Sequence, residues 1–501
     1  MASLEELRNE RIKKMNALIE AGHNPYPASV ERDVTLAEAV SAFAKLSKRK
    51  KPLTIVGRVM SLRGQGGLIF FDLDDGSGLP ERGSQSGRLQ ALLKKDDVGD
   101  ASFNLFSDTV DIGDFLECSG SLFVTKRGEK TLALKKWRMI VKSLRPLPDK
   151  WHGLTDVDER FRKRYIDLLL EGEVKKRLLL RSALIREMRA FLDKRGFLEV
   201  ETPVLQPMYG GASAKPFTTH HNALDVDLYL RISDELYLKR LLVGGLTNVY
   251  EISKDFRNEG IDMTHYPEFT QLEWYEAYSD AKKQMEVVED FFKGIIKKLF
   301  KKTSIEHGGV TIDFAKKFKV ISYFDILRRY ALIAEPEKAT REELALKAEQ
   351  LGVPVHPSDT SVKIMDNIYK KACRSKIIQP TFIVDYPVDY LPLAKRQEKN
   401  KNLVEAFQLI AGGIELVKAF SELNDPIDQR QRFLKQEEAQ KGGDVEAQRL
   451  DEDFLEALEH GMPPAGGVGI GIDRLTMLLT DTKNIKEIIL FPGMRPKDNR
   501  D

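Results

Sequence analysis

The sequence predicts an α+β protein in which a small β-barrel is followed by a larger domain of antiparallel sheet with flanking helices. Three observations predict this class. The 501 residues are 42% hydrophobic and 31% charged, which suits about two to four globular domains and excludes a disordered chain. Short β-rich segments dominate 53–143. The rest mixes strands and helices without the strict alternation of a parallel βαβ protein.

Composition excludes several classes of protein. No run of about 18 apolar residues occurs, so neither a transmembrane helix nor a membrane partner is expected. The N-terminal segment lacks the apolar core of a secretion signal. Only two cysteines are present, Cys118 and Cys373, which excludes a disulfide framework and favours a cytoplasmic location. The formal net charge of +2 is too small for nucleic-acid binding by charge alone, and the slight basic excess before residue 150 fits either solvated charges or a phosphate-bearing partner.

The first elements are two helices and five strands. Apolar residues recur at helical spacing over 2–21, and a second short helix is expected over 36–47. Five β-rich runs lie within 53–143, with a hairpin turn at 125–129. Five strands in this length favour a closed barrel of the oligonucleotide-binding (OB) type, and an immunoglobulin-like sandwich is the alternative.

Beyond an extended Arg-Pro-Leu-Pro linker at 145–148, longer helices and further strands are predicted. Helices are expected over 174–195, 280–302 and 340–373, strands over 217–231 and 247–256, and apolar Gly-rich stretches over 463–479 and 487–492.

A first group of candidate functional residues follows the strand that ends near Phe256-Arg257. After a turn at Gly260 the chain resumes as a strand, and alternation puts Phe269, Gln271, Glu273 and Tyr275 on one face. Acidic and aromatic groups together on a face are costly to bury without a cationic partner. The face therefore either binds a cation or is solvated.

Two further segments carry possible chemistry. The glycines of 466–471 lead into a helix that begins near Arg474, which suits a phosphate, although tight strand packing also explains them. Glu415 and the segment 420–425 place carboxylates on an extended chain. These carboxylates could hold a divalent cation or a cationic side chain, or form an ordinary Asx turn.

Together these motifs resemble the class II aminoacyl-tRNA synthetases, and among them the lysyl-tRNA synthetases. The resemblance covers nearly the whole chain and rests on long motifs in the order of that family. The aspartyl and asparaginyl enzymes share the barrel and the three class motifs, but lack the combination of ELYLKR and AFSELND. The motifs are GFLEVETPVLQPMYGG, ELYLKR, FRNEG, THYPEFT, LEWY, PLAKR, AFSELNDPIDQRQRF, GVGIGIDR and ILFPGMRP.

The resemblance implies ATP-dependent ligation of lysine to tRNA(Lys) through a lysyl-adenylate, with Mg²⁺ as cofactor. It implies a cytoplasmic homodimer that pairs through motif 1, the helix and strand of 174–207. The implied domains are an N-terminal helical extension (1–50), an OB-fold anticodon-binding domain (51–145), a linker (146–155) and a catalytic domain (156–501) with a helical insertion around 280–400.

The resemblance also implies residue roles. Arg257 bridges the lysine carboxylate and the ATP α-phosphate, and Arg474 is the second catalytic arginine. The ATP site comprises these two with Glu259, His265, Phe269 and Glu415. The lysine site comprises Glu235, Arg257, Glu273, Tyr275, Phe420 and Glu422. The metal ligands are Glu415, Gln408 and Glu422, and the anticodon contacts are Phe70 and Arg58.

Several positions depart from the pattern of the family. Gln408 replaces a metal-ligating Glu, Lys418 an Asn beside the lysine pocket, and Ile414 a basic residue. A neutral amide ligates a metal with less charge, and a lysine beside the pocket opposes a cationic substrate, so altered metal occupancy is expected. The other departures are Asp74, Tyr266, Leu391 and a long barrel loop at 76–88.

Two rival functions remain at this stage. A paralogue that acylates a protein or releases a free product would usually lack the barrel, which this chain keeps. A non-catalytic RNA-binding protein would be expected to lose Arg257, Glu259 or Arg474, and all three are present.

Overall fold

The computed structural model describes residues 3–78, 87–148, 154–357, 359–441 and 449–496. Most of the barrel loop at 76–88 and part of the predicted linker lie outside these ranges. The chain divides into two compact units, Met1–Lys176 with Gly493–Asp501, and Arg177–Pro492. Among the described residues, no helix is long and apolar enough to cross a membrane.

The first unit contains a closed five-stranded barrel of order β1-β2-β3-β5-β4, so the sandwich alternative is wrong. Buried apolar residues alternate along the strands and fill the interior. The α1 helix begins at a capping box between Ser3 and Glu6, and the helix predicted over 36–47 is split at Ala42. The elements are α1 Leu4–Glu20, α2 Leu36–Ser41, α3 Phe43–Leu46, β1 Leu53–Gln65, β2 Leu68–Asp74, β3 Arg88–Lys94, α4 Lys95–Val98, α5 Asp100–Thr109, β4 Phe115–Val124, β5 Lys130–Val141, α6 Val157–Arg162 and α7 Arg164–Leu170, with α8 Gly172–Lys194 leading into the second unit.

The second unit is built on an eight-stranded sheet of order β14-β15-β16-β17-β18-β11-β10-β6. All neighbours are antiparallel except the outer pairs β14–β15 and β10–β6. The span predicted as a helical insertion, 280–400, is not wholly helical, because it supplies two strands to this sheet. The strands are β6 Leu198–Glu199, β10 Asn248–Phe256, β11 Glu268–Ala277, β14 Lys319–Ser322, β15 Thr381–Val384, β16 Ala406–Ala411, β17 Ile414–Ser421 and β18 Ala465–Gly471, with β7 Leu205–Gln206, β8 Thr218–His221 and β9 Val226–Leu230 in a small sheet and β12 Ser304–His307 and β13 Val310–Asp313 in a hairpin.

One face of the large sheet is a hydrophobic core and the other carries polar groups. Leu272 and Trp274 of β11 point into the core, where they pack with residues of the long helices α8 and α10. The Trp274 indole nitrogen donates to Gln284 over 2.8 Å, so its only polar atom is satisfied. Gln271, Glu273 and Tyr275, which alternate with these two core residues along β11, therefore face the opposite side of the sheet. The helices are α9 Glu235–Val243, α10 Ala281–Phe300, α11 Tyr323–Ile326, α12 Arg341–Gln350, α13 Ser361–Ile368, α14 Pro426–Lys441, α15 Glu452–Glu459 and α16 Ile472–Leu479.

Candidate active site

Two carboxylates predicted to bind lysine converge on one buried ammonium group of the protein itself. Glu235 is the first residue of α9, and Glu422 directly follows β17. The Lys239 ammonium, one helical turn after Glu235, lies 2.6 Å from Glu235 Oε1 and forms a second ion pair with Glu422. Its Nζ also lies 5.4 Å from the centre of the Phe420 ring. Lys239 is fully buried, so this contact is part of the architecture of the pocket.

Glu273 and Tyr275 lie beside this pair and are buried, with exposed fractions of 5% and 3%, so the solvated-face alternative is wrong. The Tyr275 hydroxyl donates to Glu273 over 3.0 Å. The charge of the neighbouring Asp234 carboxyl, which is fully buried and has no hydrogen-bond partner among the described residues, also acts on this site. Burial, reinforced by the charge of Glu235, raises the pKa of Glu273 to about 7. Burial and the charge of Glu273 raise the pKa of Asp234 as well. Such shifts mark carboxylates that lack enough positive partners.

A second ion-pair group supports the pocket from β10. The Arg231 guanidinium binds Glu251 over 2.6 Å and approaches Asp255 to 3.4 Å. All three side chains are buried. Burial raises the pKa of Asp255 to about 6, although Arg257 and Arg231 oppose the rise. The floor of the site therefore remains rich in negative charge.

The glycine strand β18 makes room for these side chains. Gly467 lies opposite both Tyr275 and Phe420 in the sheet register. A Cβ atom at Gly467 would lie 2.0 Å from Glu422 Oε1 and 2.5 Å from the Tyr275 ring. The absence of a side chain at Gly467 thus allows Glu422 and Tyr275 to lie directly against the strand.

Arg257 occupies the position between the acidic pocket and the predicted nucleotide site. Its guanidinium lies 4.8 Å above the Phe269 ring and donates to the Ile232 carbonyl over 3.3 Å. The stacking contact and the hydrogen bond fix the plane of the guanidinium while leaving donors available. Glu259 is exposed two residues further along, where its backbone N–H binds the Arg257 carbonyl.

Arg474 and His265 are oriented by a chain of contacts. Asp473, in the first turn of α16, accepts a 2.7 Å hydrogen bond from the Thr270 backbone and pairs with Arg181, which fixes the start of this helix. Arg474 Nη2 lies 2.9 Å from His265 Nε2, and His265 Nδ1 lies 2.8 Å from Asp262. Both ring nitrogens are engaged, so in this arrangement His265 orients Arg474.

The residues predicted to bind magnesium make other contacts in the structure. Glu422 pairs with Lys239, and the Gln408 amide oxygen accepts a 2.9 Å hydrogen bond from the Tyr386 hydroxyl. Glu415 lies 3.8 Å from Arg474 and 3.9 Å from Arg374. Although burial acts the other way, these arginines lower the pKa of Glu415. In the part of the chain that the structure describes, no three potential acidic, histidine or cysteine ligands come together. Each of the three predicted donors is thus engaged by another group of the protein, which does not suit a Mg²⁺ ion held by these side chains.

The two barrel residues predicted to contact an anticodon lie on the outer side. Phe71 fills the barrel interior, whereas Phe70 is half-buried on the opposite face of β2. The Arg58 guanidinium stacks 4.2 Å from the centre of the Phe115 ring. Asp74, opposite Arg58 in the register, pairs with Arg88 over 3.1 Å. An aromatic ring and a cation are thus presented on one barrel surface, the chemistry that binds single-stranded nucleic acid.

Comparison with known proteins identifies the family. Residues 156–495 match the family model of class II tRNA synthetases (D, K and N), and residues 53–145 match that of the OB-fold nucleic acid binding domain. The chain is 46% identical to a lysine–tRNA ligase of Pelotomaculum thermopropionicum, covering 99% of this chain and 96% of the relative. It is 45% identical to one of Carboxydothermus hydrogenoformans, covering 99% of each. The chain belongs to the lysine–tRNA ligase family. The predicted fold class, an OB-fold barrel followed by a class II catalytic domain, is confirmed.

Most of the residues predicted to bind lysine and ATP in this member of the lysine–tRNA ligase family lie close together in the structure. The structure brings Glu235, Glu273, Tyr275, Phe420 and Glu422 into one pocket, with Arg257, Phe269, His265 and Arg474 beside it. Sequence reasoning missed the role of Lys239, although its spacing of four residues from Glu235 in a helix was a usable signal. It also missed partners that only the fold brings together: Arg231, Asp234, Asp255, Asp262, Arg374 and Tyr386.

Proposed function

We propose that this site activates lysine with ATP and passes the lysyl group to tRNA(Lys), as expected for a lysine–tRNA ligase. The observation that carries the proposal is the excess of buried carboxylates over buried cations. Among the described residues near the pocket, only Arg231 and Lys239 are fully or nearly buried cations. The buried carboxylates are Asp234, Glu235, Glu251, Asp255, Glu273 and Glu422.

Lysine suits this imbalance because it brings two ammonium groups. We assign its α-ammonium to Glu235, and its ε-ammonium to Glu422 with Glu273 and Tyr275. A guest without the second cation would leave a buried carboxylate unpaired, which is the strongest form of discrimination available to such a pocket. Phe420 supplies an aromatic wall for the aliphatic part of the guest.

The adenylate forms when the lysine carboxylate attacks the α-phosphorus of ATP and pyrophosphate leaves. Arg257 is positioned to bind the carboxylate and the α-phosphate with one planar guanidinium, since Phe269 and the Ile232 carbonyl hold that plane. The attacking carboxylate is already ionised, so positioning and charge stabilisation carry the step. We assign the adenine to Phe269 and Glu259, and the distal phosphates to Arg474, which His265 orients.

The barrel supports recognition of tRNA through Phe70 and Arg58. Stacking of a base on Phe70 is expected to contribute about 1–3 kcal/mol. The match to an OB-fold nucleic acid binding domain over the same strands supports this assignment.

We also propose a homodimer that pairs through the motif 1 segment 174–207. Apolar side chains exposed along this segment support it, because surface residues of this kind cluster at interfaces. We place the enzyme in the cytoplasm, which suits two unpaired buried cysteines. The exposed side chains are Leu179, Leu198, Val204 and Leu205.

Charging assays test the function directly. Purified protein with ATP, radiolabelled lysine and tRNA(Lys) should yield acid-precipitable lysyl-tRNA. Arg257→Lys keeps the charge but loses the fork, so the rate should fall about 100-fold or more. Arg430→Lys, the same substitution at a half-buried position of α14 where Arg430 pairs with Glu452, serves as the matched control. Charging with aspartate but not lysine would refute the pocket assignment.

A further inference from the structure

The charged groups that act on Glu415 are cations, whereas a metal site would place further oxygen ligands beside this carboxylate. Besides Arg474 and Arg374, which lie 3.8 and 3.9 Å from Glu415, the charges of Lys418 and Lys370 act on this carboxylate. One carboxylate surrounded by four cations forms a positive region, which attracts a triphosphate and repels a free divalent cation. The arrangement therefore favours direct contact between protein cations and phosphate.

Lys418 is the cation best placed for such contact. It lies directly opposite Gln408 in the β16–β17 register, so the two residues form a cross-strand pair. Lys418 and Phe420 alternate along β17, so the Lys418 side chain leaves the strand on the face that carries Phe420. The charges of Glu415, Glu235 and Arg257 all act on its ammonium. Its side chain is exposed to solvent in the site, and no ion pair within 4.0 Å joins it to another described residue.

Gln408 does not offer its amide oxygen to a metal. The side chain is buried, and that oxygen accepts from Tyr386 and lies 3.5 Å from the Tyr369 hydroxyl. Two tyrosine donors thus use the lone pairs that a metal would need. With a neutral, engaged amide opposite a lysine, this strand pair supplies a positive charge where a carboxylate pair would hold Mg²⁺.

We propose that the Lys418 ammonium binds the ATP phosphates next to Arg257 in place of a protein-held metal ion, so that the enzyme uses only the magnesium that arrives with the nucleotide. This inference rests on the proposed function, because it concerns the same ATP site. The contact involves no proton or group transfer, only charge neutralisation of the triphosphate.

Metal counting tests the proposal independently of turnover. Manganese binding to the full-length protein is measured by electron paramagnetic resonance with α,β-methylene-ATP and lysine present. We expect about one Mn²⁺ per bound nucleotide. The double variant Gln408→Glu/Lys418→Asn should bind at least one more. Two or more Mn²⁺ per nucleotide in the unmodified protein, or no gain in the double variant, would overturn the proposal.

Nucleotide affinity without metal provides a second readout. Calorimetry with α,β-methylene-ATP in EDTA should show Kd rising about 10- to 100-fold for Lys418→Asn, the range expected when a charged hydrogen bond is lost. Lys418→Arg should retain most of the affinity, and Lys319→Asn, an exposed strand position, should not change it. An unchanged Kd in Lys418→Asn contradicts the assignment.

Activity separates this proposal from the function on which it rests. Lysine-dependent pyrophosphate exchange should saturate in the unmodified protein once Mg²⁺ matches ATP, whereas the double variant should need free Mg²⁺ in excess. Exchange that needs excess Mg²⁺ in both proteins would refute the role of Lys418 and leave the function intact. Absence of lysine-dependent exchange at any Mg²⁺ concentration would refute the function itself, while the metal count and the calorimetry still decide the binding claim.

Discussion

Replacing Gly467 with alanine probes how closely the sheet packs beneath the lysine pocket. The added Cβ would lie 2.0 Å from Glu422 Oε1 and 2.5 Å from the Tyr275 ring. Ordinary contacts between such atoms are about 3.5 Å, so the carboxylate must move by more than about 1 Å. Overpacking of this kind costs about 1–3 kcal/mol of stability, and a displacement of about 1 Å at a reacting or binding group can cost about 100-fold in rate.

The assay is lysine-dependent pyrophosphate exchange with thermal unfolding measured in parallel. In Gly467→Ala we expect kcat/KM for lysine to fall about 100-fold while KM for ATP changes little, because Glu422 faces the amino acid. Two glycines provide controls. Gly469→Ala, on the same strand, meets its nearest neighbour at 3.3 Å and should show a mild effect, and Gly294→Ala in α10 meets no atom within 4 Å and should show none.

A Gly467→Ala enzyme with unchanged kcat/KM for lysine would show that Glu422 does not define the pocket. An equal loss of activity in Gly469→Ala would show that the whole strand, rather than this one contact, is sensitive to substitution.

Further predictions concern charge, pH and the barrel. Because burial and Glu235 raise the pKa of Glu273 to about 7, the folded protein binds more protons than the unfolded chain between about pH 4.5 and 7. The free protein should therefore lose stability as pH rises through 7. Lysine should bind more tightly at pH 8 than at pH 6, with the proton release at lower pH seen as a calorimetric heat that depends on the buffer. A lysine affinity independent of pH across this range would contradict the shifted carboxyl. Lys239→Met leaves Glu235 and Glu422 without their cation, so the free energy of unfolding should fall by about 3–5 kcal/mol. Added lysine should raise Tm more in the variant than in the parent. Equal shifts in Tm would show that bound lysine does not replace this cation. Phe70→Ala should weaken tRNA binding about 10- to 100-fold without changing pyrophosphate exchange. Phe71→Ala, at a buried position, should mainly destabilise the barrel, by about 3–5 kcal/mol. Identical effects of the two substitutions on tRNA binding would rule out a stacking role for Phe70.

The sequence was most informative where periodicity and burial agree. Alternation along 269–275 correctly put Glu273 and Tyr275 on one face, because Leu272 and Trp274 are buried in the core on the other face of β11. The five barrel strands were recoverable for the same reason. Phe70 and Phe71 could not be separated by pattern alone, since either neighbour could point inward until the register was known.

Features that depend on distant partners were not predictable from local pattern. The strands β14 and β15 are four residues each and lie among helices, so the region appeared helical. The sequence around Lys239 predicts an ordinary lysine on a helix surface, because its ion pair with Glu422 involves a distant segment of the chain. Likewise the sequence pattern marks Gln408 as a weakened metal ligand, and only its hydrogen bond from Tyr386 shows that the amide is engaged elsewhere.

Buried carboxylates should select the amino acid by its second positive charge. Pyrophosphate exchange with lysine and with norleucine, which has the same chain length but no ε-ammonium, tests this most directly. We expect robust exchange with lysine and a kcat/KM at least about 10,000-fold lower with norleucine, because buried Glu273 would have no cation and Glu422 would have Lys239 alone. Comparable exchange with the two amino acids would contradict it.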